Sequence, residues 1–450
     1  MRWLFVLLIA SFTISDVFGL EMSLAPGLSV KNGILYLIAA MLFFRMALSG
    51  LPQRRIPLSN ILYLCITVFA VVSWMVAWKV MHYRGYHGVG ALIILKSRMI
   101  DSAILLFALF YGIRDEREGL WLLRVLLAAV AFANVATIFD AAGIVHLGMR
   151  IGDSGPEAGR VFGAFGHANE TGALIVCLLP ALIALSFSEK GWERTMWVGG
   201  TFASVIVLLM TVSRGAFVGL AMGCLVAGFI CRRHVPLHRF VLFGAAGLAV
   251  CLGGIAVAGL VDPQFGGTII ERLMGQSRSL DVSEMSSGRT AIWAEAWAQM
   301  AKHPITFLTG YGWEVYMAMP FRYAPHNFYL GMWFDLGIFA VIAFMVVIGS
   351  SITNTVRMVP VVRPELRMQF IAYAFGMMSL AAAIMFADLW KPWPYIWVYM
   401  AITLRLVGLA RETGKEPVAQ AAPKPARPLI GAPLPAFHQI GTVRPREPAR

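Results

Sequence analysis

The sequence predicts an all-α polytopic membrane protein with about twelve transmembrane helices, one large outer loop between the ninth and tenth, and a basic tail. Three observations carry that prediction. Hydrophobic residues make up 59% of the 450 positions and charged residues only 14%, whereas roughly a quarter of a soluble chain is charged. Mean hydropathy is +0.72, and the shortage of charge runs along most of the length instead of marking a single anchor. At about 20 residues per ~30 Å crossing, a dozen helices consume roughly 250 residues and leave room for one sizeable loop and a tail.

Apolar runs place the spans near 3–20, 33–49, 57–77, 91–113, 119–142, 170–187, 196–213, 215–231, 239–261, 327–350, 368–388 and 394–410. Arg2 followed by WLFVLLIASF has the outline of a signal peptide, but no small-x-small cleavage site follows before Glu21, so the run reads as the first membrane helix. Every second connection is basic: Arg54 and Arg55, Arg114 and Arg117, Lys190 and Arg194, Arg232, Arg233 and Arg239, then Arg357, Arg363 and Arg367. That alternation puts both termini in the cytoplasm and turns the connections 143–169 and 262–326 outward. The membrane unit is therefore 1–410, with 262–326 as its large outer loop. Residues 411–450 hold eight of the 22 prolines and little apolar material, which predicts a disordered cytoplasmic tail. Its seven Lys and Arg against three Glu suit either anionic headgroups or plain solvation.

Thirty-seven basic against 24 acidic residues give a net charge of +13, which in such a chain reports topology and attraction to membrane lipids, not nucleic-acid binding. The five cysteines, Cys65, Cys177, Cys224, Cys231 and Cys251, all lie in apolar segments without a CxxC, so neither a disulfide framework nor a zinc site is indicated. Charges inside spans need a partner, a cavity or an interface. Lys96, Arg98 and Asp101 cluster in the fourth span, where Arg98 and Asp101 stand i,i+3 and can pair. For that pair, and for Asp16, Arg45, Arg124, Asp140 and Asp388, snorkelling or structural pairing accounts for the residue as well as a site does.

The outward segments are richer. GRVFGAFGHANETGALIVCLLP sets Arg160, His167, Asn169 and Glu170 just before a span. TVSRGAFVGL spends the single charge of a tight outer turn on Arg214, which either anchors the helix end or binds an anion. In SGRTAIWAEAWAQMAKHPITFLTGYGW, Ser286 or Ser287 can cap a surface helix whose Ile292, Trp293, Ala296, Trp297 and Met300 recur at helical spacing. Arg289 falls in its first turn, where a cation is unfavourable unless an anion compensates it. Finally RYAPHNFYLGMWFDLG places His326 at the mouth of the tenth span among Tyr323, Phe328 and Tyr329. An imidazole there, with an ordinary pKa near 6.5, can accept a proton at neutral pH. His234 and His238 are separated by Pro236, and His82 and His87 lack matching carboxylates. No HExxH, DxD or Walker pattern occurs, so the motifs assign no metal site and no cofactor, and give little support to nucleotide hydrolysis or nucleotide-sugar transfer.

Taken in order and in their positions relative to the spans, GRVFGAFGHAN, TVSRGAFVGL, SGRTAIWAEAWAQMAKHPITFLTGYGW and APHNFYLGMWFDLGI resemble the O-antigen ligase and polymerase superfamily, particularly its ligase-like members. The motifs cover roughly 120–350 and the span pattern 1–410. The resemblance implies a GT-C-like membrane glycosyltransferase that takes a glycan from undecaprenyl diphosphate at the periplasmic face of the bacterial inner membrane, with no metal or nucleotide. It implies a lipid A-core, growing polysaccharide or protein hydroxyl as acceptor. On this chain it puts the SRG arginine at Arg214, the GR arginine before the loop helix at Arg289, the histidine of the H-N motif at His326, and Arg160 in a family-like position.

Residue chemistry supports the same reaction. A sugar diphosphate already carries a good leaving group, so cations to hold the departing anion and one base for the acceptor hydroxyl suffice. Arginine forks suit diphosphate oxygens, which makes Arg214 and Arg289, with Arg160, the substrate-binding residues and His326 the catalytic one. A transporter of lipid-linked glycans is the rival from another class; it favours two inverted halves, and no clear internal repeat is present.

Overall fold

The computed structural model describes residues 1–20, 23–50, 55–149, 160–234, 289–319, 325–389 and 391–413. The expected span 239–261, Cys251, the serine cap at 286–287, Tyr323, most of the large loop and the tail beyond 413 lie outside these residues.

Helix α1 (Arg2–Phe18) ends on Gly19 and leads into a two-stranded antiparallel hairpin, β1 (Ser23–Ala25) and β2 (Leu28–Ser29). Ser29 then caps α2 (Val30–Ser49) through a reciprocal box with Asn32. Helix α3 (Leu58–Val76) runs on through a π-helical turn, Ala77–Met81; α4 (Gly88–Leu95) likewise continues through a π turn, Lys96–Ile100, into α5 (Asp101–Gly112). Next come α6 (Glu116–Ala141), capped by Asp115, then α7 (Ala168–Ser188), α8 (Gly191–Thr211) and α9 (Arg214–Cys231). After the undescribed stretch follow α10 (Arg289–Lys302), the short α11 (Thr306–Thr309), a 3-10 turn at Tyr316–Ala318, α12 (Phe328–Leu336), α13 (Ile338–Met358), α14 (Pro364–Ala383) and α15 (Trp393–Thr413).

Among the described residues nine helices are long and apolar enough to cross a membrane. They are α2, α3 with its π turn, α6, α7, α8, α9, α13, α14 and α15. The chain is a multi-pass, all-α membrane protein. The 17-residue α1 and the continuous 88–112 run, with its three charges, fall outside that set of nine. Hydropathy alone does not separate inner from outer helices; burial does. Helices α7, α14 and α15 form the centre, whereas α2 and α3 expose Phe43, Phe44, Leu64 and Val68 at the periphery.

Close backbone approach holds the centre together. Gly215, Gly219 and Gly223 recur every four residues along α9, and a Cβ on Gly219 would stand 2.7 Å from the Ser379 carbonyl oxygen of α14. On another face of α14, a Cβ on Gly376 would run into the carbonyl oxygen of Cys177 in α7. Glycine is required at both crossings because backbone occupies the space.

Successive helices alternate between two rims. At one, Arg363 pairs with Glu116, Arg124 with Glu189, and the buried Arg405 donates to the Ile113 carbonyl (3.1 Å). These are residues of the basic connections or next to them. At the other, Val161 N–H donates to Met210 O (3.1 Å), Phe328 N–H to Ile384 O (2.9 Å), and the Trp393 indole to Arg98 O (2.7 Å).

Two expectations change. The tenth span does not run 327–350: Gly337, at φ +79, breaks it into the short α12 and the crossing helix α13, and a Cβ there would collide with the Leu308 carbonyl. Arg98 and Asp101 do not pair. The π turn rotates them apart, so that Lys96 binds Asp101 (2.9 Å) and Arg98 reaches Glu314 (3.4 Å). Their cluster meets α2. Asp101 accepts from Asn32 (2.7 Å) and Tyr36 (2.6 Å) in the first turns of α2, which sets 96–101 level with that end of α2.

Candidate active site at the motif-bearing rim

The tight turn between α8 and α9 sets the first part of the site. Val212 adopts φ +46, a left-handed conformation that a β-branched residue enters only at a cost of about 1–3 kcal/mol. That bend lets Ser213 cap α9, its Oγ accepting from Ala216 N–H (3.3 Å) while its hydroxyl donates to Asn169 Oδ1 (2.9 Å). Arg214 follows, exposed in the first turn of α9. Arg160 converges on the same asparagine: Nη2 donates to Asn169 Oδ1 (2.7 Å) and Nε to Thr211 O (2.9 Å), with only 6% of the residue exposed. The GRVFGAFGHAN and SRG motifs therefore meet at the first turn of α7.

His326 comes in from the other side of the chain. Asn327 caps α12 through Leu330 N–H (3.0 Å), and His326 before it takes φ +46. Its amide donates to Asp388 Oδ2 (3.1 Å), and the neighbouring Phe328 N–H to Ile384 O, so the connection between α14 and α15 holds the histidine from behind. On α10 the Trp293 indole donates to Pro325 O (2.8 Å), which docks that helix beside His326. Arg289 lies one turn earlier, and its charge acts on the Asp388 carboxyl. The remaining neighbour is His167. It begins α7, stacks on Phe162 (centroids 4.9 Å apart) and stands 6.3 Å, ring centre to ring centre, from His326.

Three carboxyls and Arg98 gather beside this pair, around a cavity of about 70 Å³ lined by Arg98, Glu314, Tyr316, Asp335 and Asp388. Asp335 accepts from the amides of Glu314 (3.0 Å) and Tyr316 (3.1 Å), which folds the 310–316 loop over α12. Burial pushes all three carboxyls above the usual range, and Arg98 pulls them back. For Asp388, the charges of His326 and Arg289 and the His326 amide act in the same direction as Arg98. Asp388 thus holds the imidazole-bearing residue by its backbone and links the fields of two guanidiniums.

Arg214, Arg289 and His326 also share a stretch recognisable by comparison. Residues 199–345 match the O-antigen ligase family. This supports the O-antigen ligase and polymerase superfamily, and with it ligase- or polymerase-type membrane glycosyltransferase activity. No curated protein matches the chain. The ligase match runs from α8 through α13 and leaves out Arg160, His167, Arg98 and Asp388.

All four residues singled out from the ligase-like motifs lie at this rim, but not in equivalent settings. Arg214 is open to solvent and Arg289 partly so, while Arg160 is enclosed and braces Asn169 and Thr211. Sequence reasoning missed Asp388, which had an equally good reading as an interfacial charge at a span's end, and missed Arg98, whose π turn has no sequence signature. His167 was visible within its polar cluster, yet nothing in the sequence brings it to His326 across 159 positions.

Proposed function

We propose that the chain transfers a glycan from undecaprenyl diphosphate to an acceptor hydroxyl at the periplasmic face of a bacterial inner membrane, as an O-antigen ligase-like enzyme. The observation that carries this reading is the gathering of His326, Arg289 and the Asn169–Ser213–Arg214 turn at one rim, where a lipid-borne headgroup meets water. Arg214 and Arg289 bind the diphosphate. Arg160 acts one step behind them by fixing Asn169 and Ser213.

The acceptor O–H gives its proton to the His326 imidazole as its oxygen bonds the anomeric carbon. The anomeric C–O bond breaks, and its electron pair leaves on undecaprenyl diphosphate, whose charge the guanidiniums hold. Attack opposite the leaving group inverts the anomeric centre, so a product of retained configuration would exclude the one-step scheme. Guanidinium groups supply the positive charge throughout, and the step calls on no metal.

The decisive assay gives purified protein in detergent a defined undecaprenyl-diphosphate glycan and, separately, lipid A-core, polysaccharide and hydroxyl-bearing protein acceptors, with products identified by mass. Transfer to one of them without compartment or gradient is expected. Donor left intact with every acceptor would remove the enzyme reading in favour of a transporter.

Two substitutions probe the parts. Arg214→Lys and Arg289→Lys keep the charge but lose the bidentate fork, and each is expected to lower kcat/KM about 10- to 100-fold, the equivalent of a charged hydrogen bond of ~1.5–3 kcal/mol. Unchanged kinetics in both would mean the fork is not used. Asp388→Asn keeps an oxygen for the His326 amide but removes a carboxylate that attracts the imidazolium. The low-pH limb of the rate profile is expected to shift to lower pH with donor KM unaltered; a limb that stays in place would separate Asp388 from the base.

A further inference from the structure

A second cavity, of about 270 Å³, opens at the same rim between α1, α2, the 97–105 stretch and the start of α15. Its polar lining is Asp16, Lys31, Asn32, Ser97, Asp101, Ser102 and Lys391, and Phe12, Leu35, Leu105 and Pro394 supply apolar wall. Much of that lining is already committed. Asp101 accepts from Lys96 (2.9 Å), Asn32 (2.7 Å) and Tyr36 (2.6 Å), and Asp16 accepts from the Tyr395 hydroxyl (2.8 Å). Lys31 and Lys391 differ: among the described residues neither ammonium has a hydrogen-bond or ion-pair partner. A cavity with two uncommitted ammoniums, carboxylates already hydrogen-bonded by other side chains, amide and hydroxyl groups and an apolar wall is suited to a small polyhydroxylated anion.

One lining residue, Lys391, connects the cavity to the segment that carries His167. A Cβ on Gly166 would lie 3.4 Å from Lys391 Cδ, and the Lys391 amide donates to Glu170 Oε2 (3.3 Å). Gly166 directly precedes His167, whose ring faces that of His326 at 6.3 Å. Arg160 and Arg214 come to the centre through Asn169 and Ser213 instead, so cavity and arginines use different neighbours.

We propose that this cavity is the acceptor subsite and takes a phosphorylated sugar, Lys31 and Lys391 binding the phosphate and Asn32 and Ser97 the ring hydroxyls. The inference rests on the glycosyl-transfer reading and names its acceptor class. The volume lies just under the ~300 Å³ of small-molecule pockets, which is room for one sugar ring with its phosphate. Lysine point charges suit a group that must be held and then released with the product.

The test measures binding, not turnover, to the full chain in uncharged detergent, using glucose 6-phosphate, glucose and inorganic phosphate in calorimetric titrations, with phosphatidylglycerol nanodiscs as competitor. Glucose 6-phosphate is expected to bind at least tenfold more tightly than glucose or inorganic phosphate. The double variant Lys31→Gln with Lys391→Gln is expected to lose that preference tenfold or more, the double variant Lys31→Arg with Lys391→Arg to keep it, and both to melt as wild type does. Equal binding of glucose, retention of the preference in the Gln variant, or inorganic phosphate binding as well as the sugar phosphate would overturn the proposal. Glucose 6-phosphate failing to bind while phosphatidylglycerol protects the lysines from acylation would overturn it in favour of a lipid headgroup site. Failure of the transferase reading is seen separately, as a donor that remains intact with every acceptor while phosphosugar binding persists.

Discussion

His326→Ala is expected to lower kcat for glycan transfer by about 10²–10⁴, the range of a positioned proton acceptor, while the protein still inserts and still binds the proposed undecaprenyl diphosphate donor. The asymmetry between rate and binding follows from placement. The imidazole sits on a residue held by backbone bonds, the His326 amide to Asp388 and the Phe328 amide to Ile384, so its loss leaves the surrounding connection intact. The pH profile separates two roles for the same ring. A base loses activity as the medium is acidified and the imidazole takes up its proton; a phosphate clamp gains activity over the same interval. Full transfer by the purified alanine variant would remove His326 from the mechanism, and activity that rises on acidification would reassign it to the leaving group.

Gly376→Val unfolds the centre of the molecule. The α7–α14 crossing brings the Cys177 carbonyl into the space that a Cβ would need, and neither backbone can rotate away as a side chain can. Overpacking a core costs typically 1–3 kcal/mol, and a backbone-to-backbone clash belongs at the upper end or beyond. The expected result is little or no monodisperse protein after extraction. Gly349→Val on α13 is the matched control, since its Cβ meets nothing within 4 Å, and it should melt as wild type does. Equal thermal stability of the two variants would show that α7 and α14 are not in contact through Gly376.

What the sequence made legible followed from local rules. Spans such as Ala168–Ser188 and Ile338–Met358 show in uninterrupted apolar length, and the surface helix Arg289–Lys302 shows in its period, with Ala296 and Met300 buried as the spacing requires. The departures came from long-range contacts. Gly337 looks like any glycine in an apolar run until the Leu308 carbonyl, 29 positions away, is seen occupying its Cβ position. Arg98 pairs with Glu314 and not with Asp101 because a π turn shifts helical phase, and phase is what an i,i+3 argument assumes. At the site, the motifs gave Arg160, Arg214, Arg289 and His326. The asparagine, serine and aspartate that tie them together lie on three different segments, and only the fold makes them neighbours.

Helix α4 and the end of α3 stand side by side as a collar, the Trp74 indole donating to Gly88 O (2.7 Å), with Lys96, Arg98 and Asp101 at its base level with the start of α2. That level is a fixed property of the polypeptide, whereas acyl-chain length belongs to the lipid. Thicker leaflets would creep up toward these charges, and the molecule answers such mismatch by tilting or by thinning its annulus at a fraction of a kcal/mol per Å. Arg98, at the base of the collar, reaches Glu314 of the carboxyl cluster, so the collar is tied to the loop that packs behind His326.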